Sequence, residues 1–268
     1  MRTINELMSL KGRKAIVTGA TGGLGEHIAT TIIELGGDLI LVDRPGSDYS
    51  SLLSELEEND IANIQCFDCD LENEDERKNL IARINKDHAT GLDILINNAA
   101  FGGTADLSGW VTKFEEQSVE TWRRAIEVNL TAAFDLSKGL VKTLGKNGHG
   151  SIINIASIYG MNGPDFSLYK GTKMGNPAAY AASKGGLIQL TRWLATAVAP
   201  DIRVNSISPG GVWRNQPKEF VERYESRTPL ARMANEEDFK GAVAYLASDL
   251  SAYVTGQNIV VDGGWTVW

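Results

Sequence analysis

The chain has 268 residues, a formal net charge of −8 and an isoelectric point near 5.0. Nucleic acids and anionic membranes are held by clustered Lys and Arg, and no basic run here exceeds two residues, so both are excluded as nonspecific partners. Nothing approaches the ~18 consecutive apolar residues of a membrane helix, and the opening "MRTINELMSLKGRKAIVTGA" lacks an apolar run of signal-peptide length, so a cytoplasmic protein is expected.

Short apolar, β-branched runs recur along the chain: "KAIVTG" (14–19), "DLILVD" (38–43), "NIQCFD" (63–68), "LDILINNA" (92–99), "GSIINIAS" (150–157), "IRVNSISPG" (202–210) and "NIVVDGG" (258–264). Their hydrophobicity is continuous rather than alternating, the pattern of strands covered on both faces in a parallel sheet. Between them lie stretches of helical spacing, such as "EHIATTIIELG" (26–36), ending in glycines suited to a C-cap, and "SVETWRRAIEVNLTAAFDLSKGLVKTL" (118–144), which Ser118 opens as N-cap. No Pro/Gly/Ser linker divides them. The expected fold class is α/β, a doubly wound Rossmann-type fold with residues 1–268 forming a single domain.

The first strand runs into "TGATGGLG", which puts Gly19, Gly23 and Gly25 at the turn into the next helix. Glycine allows the tight turn and lets backbone N–H groups approach a pyrophosphate, whose charge a helix N-terminus favours. A glycine turn alone could be steric. Asp43, 18 residues past the last glycine at the end of the second strand, stands where a dinucleotide fold needs a carboxylate for the adenosine ribose hydroxyls. The same carboxylate would repel a 2′-phosphate, so NAD is expected over NADP, a preference that the adjacent Arg44 tempers. Cys66 and Cys69 spell C-x-x-C, but His27, His88 and His149 are scattered and the pair falls on a strand, so neither a metal site nor a redox pair is expected.

In "DFSLYKGTKMGNPAAYAASKGG" (165–186) a tyrosine is twice followed four places later by a lysine, as Tyr169/Lys173 and Tyr180/Lys184. Residues four apart share a face only on a helix. Gly171, Gly175 and Pro177 break any helix through the first pair, since an interior proline costs about 3 kcal/mol. Pro177 instead suits the first turn of a new helix with Asn176 as N-cap, on which Tyr180 and Lys184 occupy adjacent turns.

With "TGATGGLG", "NNAA" (97–100), "VNL" (128–130), "INIAS" (153–157), "YAASKGGL" (180–187), "IRVNSISPG" (202–210) and "TGQNIVVDGG" (255–264), nearly the whole chain resembles the short-chain dehydrogenase/reductase family. The resemblance implies a seven-stranded sheet and a catalytic tetrad of Asn129, Ser157, Tyr180 and Lys184. It implies cofactor contacts from Gly19, Gly23, Leu24, Gly25, Asp43, Asp70, Asn97, Ala99, Pro209 and Gly210, and again from Tyr180 and Lys184. It departs at "NNAA", where many members have a final glycine, and after "SPGG", where Arg214 or Asn215 stands for a threonine that touches the nicotinamide amide. Members commonly keep Ser and Tyr closer together, which would suit Tyr169, 12 residues past Ser157, better than Tyr180, 23 past it. An inserted loop, however, costs only about 0.6 kcal/mol of closure entropy per doubling of length.

In such a tetrad Tyr180 is the acid/base, and the Lys184 ammonium is expected to lower its pKa. Ser157 would hold the substrate oxygen and Asn129 would support a water-linked proton path behind Lys184, as the family's mechanism implies. The insert 159–179, with Asp165, Lys170, Lys173 and Asn176, and the lid 210–230, with Trp213, Arg214 and Lys218, should wall the site. Their polar and aromatic content suits a sugar or sugar phosphate, and the insert resembles members of bacterial carbohydrate and sialic-acid-like sugar pathways. The alternatives are a 3-oxoacyl-thioester reductase, which the same tetrad would serve but which normally prefers NADPH, and an NAD-binding sensor with an idle tetrad. Members are commonly tetramers, and the apolar faces around 118–144 and 178–199, with the terminal "GGWTVW", are the expected subunit contacts.

Overall fold

The computed structural model describes residues 1–57, 63–102, 105 and 107–268. Each apolar run becomes a strand: β1 (Lys14–Thr18), β2 (Asp38–Asp43), β3 (Ile64–Asp68), β4 (Ile94–Asn97), β5 (Gly150–Ile155), β6 (Ile202–Pro209) and β7 (Asn258–Val261). All pair in parallel in one seven-stranded sheet of order β3-β2-β1-β4-β5-β6-β7. The helices are α1 (Ile4–Met8), α2 (Gly23–Glu34), α3 (Ser50–Glu57), α4 (Glu74–Asp87), α5 (Val119–Ile126), α6 (Ala132–Leu144), α7 (Ala178–Ala197), α8 (Lys218–Glu225) and α9 (Lys240–Ala247).

Successive strand side chains point to opposite faces, so Val17, Leu39, Leu41 and Ile96 enter one core while Ile16, Ile40, Val42 and Leu95 enter the other. Ile28, Ile32 and Ile33 of α2 and Val243 and Leu246 of α9 close the first; Leu80 and Ile84 of α4, Leu136 and Leu140 of α6 and Leu194 of α7 close the second. This two-sided cover explains the continuous apolar runs. It fails at the edges: Gln65 and Cys66 of β3 and Val260 of β7 are exposed, because the helical layers end with the sheet. Cys66 and Cys69 are free thiols; partial desolvation and then the Asp68 carboxylate raise the exposed Cys66, and burial pushes Cys69 to about 12, the opposite of a reactive thiolate.

Two helix boundaries differ from the sequence reading. The stretch 118–144 is not one regular helix; Ser118 does cap α5, accepting from the Thr121 N–H at 3.3 Å, but a π-helical turn over Glu127–Thr131 separates α5 from α6. Such turns insert one residue and re-aim the side chains they carry, here Asn129. At α7, Pro177 rather than Asn176 is the cap residue, and the helix starts at Ala178. A proline side chain accepts nothing, so Gln117, from the loop before α5, takes the cap's role by accepting from the Ala178 N–H at 3.1 Å.

The strand order reverses between β1 and β4, whose chains leave toward opposite neighbours. Beyond the carboxyl ends of such strands a crevice opens. Its far side is stiffened by Arg77 of α4, 2% exposed, whose guanidinium donates to Asp135 at 3.0 Å, Glu127 at 2.6 Å and the Leu71 carbonyl at 2.6 Å. Truncating a buried, hydrogen-bonded charge costs several kcal/mol, less here because the two carboxylates can rehydrate. Arg77→Met should therefore lower unfolding free energy by about 3 kcal/mol in urea titrations; an unchanged midpoint would contradict the bracing role.

Candidate active site

β1 ends at Thr18 and the chain turns at Gly19, whose φ of +65° a side chain rarely adopts. A Cβ on Gly19 would lie 2.8 Å from the Ala99 Cα, and one on Gly25 would lie 2.0 Å from the Gly19 carbonyl oxygen. Both positions demand glycine, and the loop they form delivers the N-terminus of α2, with Leu24 packed against the core. The end of β4 is laced to this loop. Thr18 Oγ1 accepts from the N–H groups of Asn98 (3.0 Å) and Ala99 (3.1 Å), and Asn98 Nδ2 donates to the carbonyls of Thr18 and Gly19, both at 3.0 Å. Thr18 and Asn98 escaped the sequence reading although both lie inside its motifs; the signal was a second asparagine in "NNAA".

Asp43 closes β2 beside this turn. Its Oδ2 accepts from the Thr21 N–H and hydroxyl, each at 2.8 Å, and its Oδ1 from the Arg44 N–H at 2.8 Å and the Ser47 hydroxyl at 3.2 Å. The carboxylate is thereby fixed next to the glycine loop. Asn97, 5% exposed, donates to Asn154 Oδ1 at 2.8 Å while its own Oδ1 is buried without a partner. Pro209 ends β6, and the Gly210 N–H donates to the Val261 carbonyl at 2.9 Å. Asp70 stands outermost, exposed after β3, with its N–H on Glu76. A glycine cradle at a helix N-terminus, a carboxylate 18 residues on and an orphaned amide oxygen at the end of β4 fit a dinucleotide.

Ser157 follows β5 in extended conformation, and its Oγ accepts from the Tyr159 N–H at 3.1 Å. Tyr180 and Lys184 occupy successive turns of α7, the ammonium 5.8 Å from the ring centroid. Lys184 is 3% exposed and donates to the Ile155 carbonyl at 2.6 Å. Burial lowers its pKa from 10.5 to about 8. Burial also raises Tyr180 above its ordinary value, while the Ser157 hydroxyl pulls the other way. The expected lowering by Lys184 is thus overturned: desolvation of the phenolate outweighs the Ser157 hydrogen bond, and the ammonium does not offset it. Asn129 sits on the π-helical turn, 2% exposed, and does not bond Lys184. Its Oδ1 accepts from the Phe101 N–H at 2.7 Å, and its Nδ2 donates to the Phe101 carbonyl at 3.3 Å and to Ser183 Oγ at 3.0 Å.

The first tyrosine pair is not on a helix. Tyr169 ends a 3-10 turn, Gly171 follows at φ +79°, and Lys173 is exposed. Tyr169 instead joins the wall: its hydroxyl lies 2.7 Å from that of Tyr159 and its ring 5.3 Å from Phe220 of α8. The insert and the lid meet there. Arg223 of α8 donates to the carbonyls of Leu168 (3.1 Å) and Lys170 (2.5 Å), and Arg227 pairs with Asp165. Trp265 completes this cluster, stacked on Tyr224 at 5.9 Å, with its indole N–H buried and unpartnered, whereas Trp268 is exposed. Trp213 and Lys218 are exposed, and Lys218 faces Glu222.

Comparison with known proteins gives a family model described as "Enoyl-(Acyl carrier protein) reductase" matching residues 19–266. A 3-oxoacyl-(acyl-carrier-protein) reductase of Rickettsia felis is 35% identical over 265 residues, covering 96% of this chain and 98% of its own. Two solved structures, each 32% identical, superpose closely. One, named as an NAD(P)-dependent gluconate 5-dehydrogenase of Beutenbergia cavernae and carrying NADP, has a TM-score of 0.83 and covers 98% of this chain and 100% of its own. The other, a short chain dehydrogenase of Leptospira borgpetersenii with bound NAD+, has a TM-score of 0.81 and covers 99% and 96%.

The burial of Lys184 has a sign that can be checked. Its folded pKa of about 8 lies below the ordinary 10.5, so the unfolded chain holds the extra proton between those values and stability rises with pH across them. Relative to Lys184→Met, which lacks the titration, the wild type should gain roughly 2 to 3 kcal/mol between pH 7 and 10 in paired urea titrations. A constant difference would show that the ammonium is not desolvated.

Proposed function

The chain belongs to the short-chain dehydrogenase/reductase family, and on that premise we propose that it is an NAD-dependent oxidoreductase interconverting a secondary alcohol and a ketone on a sugar or sugar derivative. The observation that carries this reading is the neighbourhood of Ser157, Tyr180 and Lys184 at the same end of the sheet as the glycine cradle. We propose that the whole chain acts as one unit around that crevice.

When bound, the dinucleotide supplies the acceptor or donor of the hydride. It would lie with its pyrophosphate over Gly19, Gly23, Leu24 and Gly25, its adenosine ribose on Asp43 with Asp70 toward the adenine, and its nicotinamide end toward Asn97, Ala99, Pro209 and Gly210. In the oxidative direction Tyr180 takes the carbinol proton as hydride leaves the carbon; in the reductive direction it returns that proton to the oxygen. Ser157 Oγ holds the same oxygen. Burial keeps Tyr180 in the protonated form that donates in the reductive direction, with the Ser157 hydroxyl pulling the other way, and Asn129 holds the backbone at Phe101 and the hydroxyl of Ser183 one residue before Lys184.

Asp43 favours NAD, because a 2′-phosphate would meet a carboxylate already fixed by Thr21 and Ser47. A hydroxylated substrate is favoured by the hydroxyls of Tyr159 and Tyr169 and the unpartnered Asn176 Oδ1 in the wall, and by the relative named for gluconate. The relative named as an acyl-carrier-protein reductase favours a second reading, a 3-oxoacyl-thioester reductase. A homo-oligomer, dimer or tetramer, is favoured by the exposed Trp122, Phe134 and Trp193 on α5, α6 and α7. Among the described residues no helix is long and apolar enough to cross a membrane, which suits the cytoplasmic location we propose.

Purified protein should convert NAD to NADH with at least one member of a panel of sugars, sugar acids and sugar phosphates. Tyr180→Phe should reduce kcat by at least about 100-fold, while Tyr169→Phe raises KM and keeps turnover. Turnover only with 3-oxoacyl thioesters and NADPH would select the second reading; loss of turnover in Tyr169→Phe but not in Tyr180→Phe would overturn the assignment of the base. Binding of NADH without turnover of any compound would favour a sensor.

A further inference from the structure

Arg214 lies in the segment after β6, on the lid side of the crevice, yet its guanidinium rests on the glycine loop. A Cβ added to Gly23 would fall 2.3 Å from Arg214 Nη1, 2.9 Å from Nη2 and 3.0 Å from Cζ. Glycine at position 23 therefore makes room for an arginine that arrives from elsewhere in the chain. The segment is pinned in that pose: the Arg214 N–H donates to Gln216 Oε1 at 2.7 Å, Gln216 Nε2 donates back to the Val212 carbonyl at 2.7 Å, and the Trp213 N–H donates to the Ala234 carbonyl at 2.8 Å.

Gly23 is also the first residue of α2, so this cation sits at the positive end of a 12-residue helix. A cation there is disfavoured by the helix dipole and an anion favoured. Glu236 offsets the mismatch, its Oε1 lying 3.1 Å from Nη2. That single contact engages one side of a fork with five N–H donors and leaves Nη1, the guanidinium atom that comes nearest to Gly23, on the side of the phosphate loop. A guanidinium and the N–H groups of a helix start, converging on one place, form a receptor for an oxyanion that bears more than one charge.

We propose that Arg214 is the pyrophosphate clamp of this enzyme: it exchanges its contact with Glu236 for the bridging phosphates of the dinucleotide and so ties the lid segment to the glycine loop when the crevice is filled. This rests on the dinucleotide reading above and adds a residue to it. Glu236 acts as the resting partner that holds the guanidinium beside the loop and competes with the phosphates for it. The lid thereby senses the part of the cofactor common to its oxidised and reduced forms, and Arg214 contributes binding rather than proton transfer.

The test is binding by the protein alone. Dissociation constants for NADH, by fluorescence, and for ADP-ribose and adenosine, by calorimetry, are measured on the wild type, Arg214→Gln, Glu236→Gln and the double variant, with thermal melts as folding controls. Arg214→Gln should weaken NADH and ADP-ribose by about tenfold or more, the scale of a charge-assisted contact, and change adenosine less than about twofold. Glu236→Gln should tighten the two phosphate ligands a few-fold, an effect absent from the double variant. Unchanged or tighter binding by Arg214→Gln in a wild-type background that does bind NADH would overturn the clamp alone, the tighter result marking Arg214 as an obstruction. A wild type that binds neither NADH nor ADP-ribose would overturn the dinucleotide reading and the clamp with it.

Discussion

The molecule depends on one constraint, the closure of β1 against β4 at the point where the sheet reverses its order. Register alone would align these strands, Ile16 opposite Leu95, but the side chains beyond their ends decide what the reversal becomes. Thr18 and Asn98 share four hydrogen bonds across the gap with the backbone of Thr18, Gly19, Asn98 and Ala99. They press the two chain ends so close that only Gly19 fits between them, and Gly19 in turn leaves no space for a side chain at Gly25. The start of α2, the position of Asp43 through Thr21, and the depth of the crevice follow from that contact.

On the other side of the crevice the governing quantity is desolvation. Lys184 is buried with its ammonium on the Ile155 carbonyl, so its proton is weakly kept, and burial likewise makes Tyr180 beside it resist ionisation. Burial that disfavours the phenolate keeps Tyr180 protonated, the form that can donate to a carbonyl oxygen. The walls serve the same end: Phe220, Tyr224 and Trp265 close the lid over Tyr159 and Tyr169, and the hydroxyls and amides they enclose are the polar groups a hydroxylated substrate could satisfy.

Much of this was legible in the residues because it is local. Continuous apolar runs marked all seven strands, since a two-sided parallel sheet leaves no face for polar alternation, and Gly171 with Pro177 excluded Tyr169/Lys173 from any helix. What the sequence could not show is set by tertiary neighbours. Gln117 caps a helix 61 residues away, so the expected Asn176 cap was wrong. The π-helical turn at Glu127–Thr131 has no signature in a stretch whose spacing reads as ordinary helix. The raised pKa of Tyr180 required knowing how deeply both members of the pair are buried, and the reach of Arg214 to Gly23 depends on where the lid segment returns over the loop. Substrate identity is the least legible, because the insert's polar residues divide between the wall and the solvent: Lys170 and Lys173 are exposed, while Asn176 is buried.

The most direct test of the crevice is a crystal structure of the protein soaked with NAD. The expected result is a dinucleotide spanning the carboxyl ends of the strands, with its adenosine ribose on Asp43, its pyrophosphate over the turn from Gly19 to Gly25 and its nicotinamide ring facing Tyr180. A nucleotide bound elsewhere, or one whose nicotinamide end points away from Tyr180 and Ser157, would contradict the assignment of both the crevice and the proton donor.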